Sequence, residues 1–119
     1  MAKKNTLPTE EQVEEFRMLD QLLDSIYFEM KEFSKKKPDE PLNKFKVKNI
    51  NRVLEPVKNI LILEPTNMFL DIMDDDSLPT NSDAILVIGQ FKASMLRFQK
   101  KYKGSYTWKT KENPTGGIR

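Results

Sequence analysis

The residues with the most chemical content lie near the carboxyl end. Lys100-Lys101-Tyr102-Lys103-Gly104-Ser105-Tyr106-Thr107-Trp108-Lys109-Thr110-Lys111 interleaves bases with aromatic rings. Rings stack on nucleobases and ammonium groups pair with phosphate, so this composition suits single-stranded nucleic acid. The same segment can instead fold back, with Tyr106 and Trp108 covering an apolar groove of the protein itself. A second basic set, Lys35, Lys36, Lys37, Lys44, Lys46 and Lys48, flanks the proline-rich connector Lys37-Pro38-Asp39-Glu40-Pro41. With Lys100, Lys101, Lys103, Tyr106 and Trp108, these lysines are the candidate residues for binding an anionic partner.

Catalytic chemistry has little to work with. The chain has 119 residues, no cysteine and no histidine. Thiolate nucleophiles, cysteine-bound metals and the side chain most used as a base near neutral pH are therefore excluded. The acidic run Asp74-Asp75-Asp76 does not make an EF-hand, because Pro79 stands where that loop needs glycine and Ile85 where it needs glutamate. A loose divalent-ion site among Asp71, Asp74, Asp75 and Asp76 is the residual alternative to a solvated acidic loop. No phosphate-binding glycine loop or nucleophile elbow occurs. The expectation is no enzyme, no catalytic residue, no metal and no cofactor.

Hydrophobic spacing indicates the elements that position these side chains. Thr9 and Gln12 have the spacing of a capping box. After it, Phe16, Leu19, Leu23, Ile26, Met30 and Phe33 step by alternating threes and fours, which predicts a long helix over 9–36. Leu22 and Phe28 widen its stripe. Ile50, Val53, Leu54, Val57, Ile60 and Leu61 predict a second helix from about 44–49 to 63, kinked or restarted at Pro56. Phe45-Lys46-Val47-Lys48 alternates, so a short strand over 44–48 is the minor alternative. Met68, Phe69, Ile72 and Met73 suggest a short helix. Ala84, Ile88, Phe91, Met95, Phe98 and Tyr102 form the seam of a third long helix, capped from Thr80-Asn81-Ser82-Asp83 and ended by Gly104. Gly89 inside it marks a close helix approach, or a gap that a partner's side chain fills.

The fold expected is all-α: an antiparallel bundle of three main helices plus one short helix, with an irregular carboxyl-terminal tail. Residues 1–104 make the bundle domain and 105–119 the tail, whose order the sequence leaves open. Phe16, Met30, Phe91, Met95 and Phe98 belong to the core. The longest apolar runs, Ala84–Ile88 and Ile60–Leu63, are too short to span a bilayer, and the amino terminus lacks a signal-peptide stretch. A cytoplasmic protein with no membrane partner is expected.

Net charge is +2, but it is laid out in blocks: acidic over 1–34, basic over 35–62, acidic over 63–91 and basic over 92–119. In an up-down-up bundle with short connectors, this pattern gathers the lysines at one pole and the carboxylates at the other. Helix dipoles account for the charges of the first and third helices. They do not account for Lys44, Lys46 and Lys48, which stand at the wrong end of a helix for a cation. The function expected is a small non-enzymatic interaction protein, an adaptor, regulator or accessory subunit of a larger complex with a charge-polarised helical surface. Its expected partner is another protein; the alternative is a nucleic-acid-binding accessory protein that holds RNA or DNA on the basic pole and tail. Heptad seams also pair between chains, so a homo-oligomer stays open.

Overall fold

The computed structural model describes residues 7–118. Three helices carry the fold: α1 over Glu10–Lys36, α2 over Lys44–Ile60 and α3 over Asn81–Tyr102. A short 3-10 helix, Pro65–Phe69, follows α2. There is no named strand among the described residues, and residues 44–48 are helical. The architecture is an all-α bundle.

Each helix begins where its cap places it. The Thr9 hydroxyl accepts from the Gln12 N–H, and the Gln12 side chain accepts from the Thr9 N–H. Thr80 and Asp83 repeat the arrangement at α3. Asn43 caps α2 by accepting from the Lys46 N–H. Pro56 sits inside α2 without ending it.

The heptad seams form the core. Phe16, Leu19, Leu23 and Met30 of α1 meet Ile88, Phe91, Met95 and Phe98 of α3, while Val47, Leu54 and Val57 enter from α2. Ile26 is only half-buried at its edge, and Leu22, Phe28 and Phe33 are exposed. Among the described residues, no helix is long and apolar enough to cross a membrane.

The direction of α3 corrects the up-down-up expectation. Its first turn lies against the connector between α1 and α2. The Asn81 N–H donates to the Glu40 carbonyl at 2.9 Å, and the Asn81 side chain donates to the Lys37 carbonyl at 2.8 Å. Its last turn meets the start of α1 and the end of α2: Phe98 stacks on Phe16 at 5.4 Å, and the Tyr102 hydroxyl donates to Glu64 at 3.2 Å. So α1 runs against both other helices, while α2 and α3 run the same way. The link from α2 to α3 is a crossover, residues 61–80, returning along the molecule.

Buried Asn51 holds that crossover. Its side-chain amide donates to the Met73 carbonyl at 2.7 Å, and its carbonyl accepts from the Met73 N–H at 3.0 Å. Replacing it with leucine strands two buried backbone groups, each worth about 1–3 kcal/mol when unpaired. Asn51→Leu is expected to lower stability by about 2–4 kcal/mol in a denaturant titration; an unchanged midpoint would mean the crossover is held otherwise.

Gly89 is not a close-approach glycine. A Cβ built there meets only the Tyr27 ring, at 3.9 Å, an ordinary contact. Gly89→Ala should therefore stabilise α3 by about 0.5–1 kcal/mol, seen as a higher melting temperature. The close approach lies instead at Gly104, where a Cβ would come within 2.6 Å of the Thr107 carbonyl and 2.9 Å of Gly116. Gly104 ends α3 in sequence, but its role is to let the tail turn back.

Candidate interaction surface

The crossover separates the lysines that the expected topology would have gathered. Lys35, Lys36, Lys37, Lys44, Lys46 and Lys48 surround the end of α1 and the start of α2. Lys100, Lys101 and Lys103 end α3, at the far end of a molecule 49 Å long. The single basic pole does not form. Its physical reason is the parallel run of α2 and α3, which carries the end of α3 away from the start of α2. Lys48 and Arg52 line one hollow with Asp74 and Asp75.

The individual lysines are differently engaged. Lys35 pairs with Glu32 at 3.2 Å and Lys37 with Glu40 at 3.4 Å, both exposed and worth little. Lys46 lies over the Phe33 ring, 4.2 Å from its centroid. Lys101 reaches the buried Glu64 carboxylate at 3.4 Å. Burial works to lower the Lys101 pKa, but the Tyr102 hydroxyl and the Glu64 charge outweigh it and hold the ammonium above its ordinary value.

The tail is no open stacking platform. Trp108 is buried, its ring 5.0 Å from Phe16 and 6.3 Å from Phe98. The Lys111 N–H donates to the Pro8 carbonyl and Glu112 accepts from the Glu10 N–H, so the tail also straps the start of α1. Trp108 is thus removed from the set available to an anionic partner. Tyr106 stays 73% exposed, beside Arg17 and Lys103 in a polar hollow of about 480 Å³.

Asp20 lines the same hollow. Partial burial, reinforced by the Asp24 charge and opposed by Lys92, raises its pKa above the ordinary carboxylate value. The folded state then holds this proton more tightly than the unfolded state does. Stability is lost as pH rises from about 4 through the raised value. Asp20→Asn should be neutral or stabilising by up to about 0.5 kcal/mol at pH 7, with no gain at pH 3. Melts of both proteins across that range test the sign.

The Asp74, Asp75 and Asp76 carboxylates lie within 4.8 Å of one another, and Asp71 is not one of the group. Asp74 already accepts from the Asp76 N–H at 2.8 Å and the Ser77 hydroxyl at 3.1 Å. Those bonds hold its pKa below the ordinary value. Within the cluster, these bonds tie the Asp74 carboxylate to its own turn.

The surface that spacing alone did not reveal is apolar. Between α1 and α2 runs a groove of about 310 Å³, floored by Ile26, Met30 and Ile50 and walled by Phe33 and Phe45. Phe33 is 43% exposed and Phe45 73%. Heptad spacing puts Phe33 in the α1 seam, yet it faces the first turn of α2, where the Lys46 side chain lies over its ring and leaves it partly open. Its signal in the sequence is the last seam position of a helix longer than its partners. Glu29, Asn43, Lys46 and Asn49 complete the lining.

No protein family matches the chain, and no curated protein or solved structure matches it.

Proposed function

We propose that this protein is a non-enzymatic interaction protein, an adaptor, regulator or accessory subunit, that docks an apolar segment of a partner protein in the α1–α2 groove. The observation that carries the reading is the pair of exposed aromatics, Phe33 and Phe45, walling a concave apolar hollow. Large apolar side chains around a concavity are where binding energy concentrates. The groups with displaced pKa values, Asp20, Asp74 and Lys101, do not share one hollow, which favours binding over catalysis. A cytoplasmic setting belongs to the same proposal.

Replacing Phe33 and Phe45 with serine tests it. Both are exposed, so the variant should stay folded by circular dichroism. Tagged wild-type protein is expected to retain a nuclease-resistant partner from extracts of its host, and the double variant to lose it. Equal capture by both, or capture abolished by nuclease, would overturn the reading.

A further inference from the structure

The α1–α2 groove has a shape and a charge that together describe its occupant. Residues 26–33 of α1 and 43–50 at the start of α2 line it, and a hollow between two helices is the seat a third neighbouring helix fills. On α1 the apolar side continues beyond the groove through exposed Leu22 and Met18, 46% and 54% accessible, spaced by fours from Ile26. On α2 half-buried Val53 stands three residues beyond Ile50, on the same side of the helix. The apolar track is therefore longer than the hollow itself. Its length suits the i, i+3, i+4, i+7 anchors of an amphipathic helix, and the described residues hold no named strand whose edge an extended peptide could join.

The charge enters at one end. Lys36 follows Phe33 by one turn on the same side of α1, and Lys46 stands in the groove lining over the Phe33 ring. Neither makes an ion pair among the described residues. Of the neighbouring carboxylates, Glu32 and Glu40 are occupied by Lys35 and Lys37, which leaves Glu29 in the lining and Asp39 in the connector. Lys44 and Lys48 do not contribute, since Lys48 lines the crossover hollow on another side of α2 and Lys44 is one turn before it. The start of α2 adds its own positive dipole end at the Lys36–Lys46 end of the groove.

We infer that the groove seats an amphipathic helix of a partner protein whose carboxylates meet Lys36 and Lys46, so that the bundle is completed as four helices. The inference rests on the groove being the docking surface and adds the chemistry of what docks. The apolar track supplies the affinity. The two lysines select acidic over basic helices and fix which way the helix lies.

Two synthetic helices of about five turns, both with a leucine face, separate the two levels of the claim. One carries glutamate on its polar face and the other lysine. Each is titrated into the isotope-labelled full-length protein and followed by backbone amide resonances. The leucine–glutamate peptide is expected to shift Ile26, Met30, Phe33, Phe45 and Ile50 and to bind roughly fivefold tighter than the leucine–lysine peptide at low salt. Lys36→Gln with Lys46→Gln, both exposed or half-buried surface positions, should erase that preference while leaving the resonances shifted. High salt should do the same. If both peptides move the groove resonances equally, the acidic partner falls and groove docking stands. Should neither move them, or a short single-stranded oligonucleotide move them more than either peptide, both levels fall.

Discussion

Trp108→Ala is expected to destabilise the protein by about 3–5 kcal/mol, the usual cost of emptying a buried aromatic site. The indole is 5% exposed and contacts the rings of Phe16 and Phe98, one from each of the two helices that share most of the core. The loss reaches further than one ring. Gly104, Thr107 and Gly116 pack the tail into a tight return, and the strap to Pro8 and Glu10 depends on that return. Trypsin should therefore cleave at Lys103, Lys109 and Lys111 much faster in the variant. A variant that melts like wild type would put the indole back at the surface, where it could stack on a base.

Phe91→Ala should be of the same size, about 3–5 kcal/mol, because Phe91 is wholly buried at the middle of the α3 seam. Thermal melts of the two variants should drop by similar amounts. Ile26→Ala belongs to the same heptad logic but should cost only about 1–2 kcal/mol, since Ile26 is half-buried on the groove floor. Equal losses at Phe91 and Ile26 would contradict the groove, by showing that Ile26 is core.

The difference between Phe91 and Ile26 shows where spacing stops being informative. Heptad positions report which residues share a helix face. They do not report whether a neighbour covers that face along its full length. For α1 the seam is buried at Val13, Phe16, Leu19, Leu23 and Met30, half-buried at Ile26 and open at Phe33. Several local signals were legible. The capping box at Thr9 and Gln12, the cap at Thr80 and the uninterrupted α1 pattern all correspond to hydrogen bonds in the structure.

The direction of α3 was not legible, for a physical reason. The stretch from Leu61 to Thr80 reads as breaks around a short helix, which implies a tight turn and an antiparallel third helix. In the structure only Pro65–Phe69 is helical, and 70–80 runs without helix. At ~3.3 Å per extended residue, such a segment spans the ~25 Å length of α2. The residue that makes the long route possible is Asn51, a polar position inside an apolar α2 seam. A buried asparagine with two backbone partners is the trace a crossover leaves in sequence, and helical periodicity alone passes over it. That one reversal moves Lys100, Lys101 and Lys103 away from Lys36 and Lys46 and replaces a basic pole with an apolar groove.

Site-directed photo-crosslinking tests the groove most directly. A photoactivatable phenylalanine analogue is placed at Phe45, on the groove wall, and separately at exposed Gln90 on α3. On irradiation in host cells, position 45 is expected to cross-link to a discrete protein, and position 90 is not. Equal cross-linking from both positions, or a nucleic-acid adduct from position 45, would contradict the account.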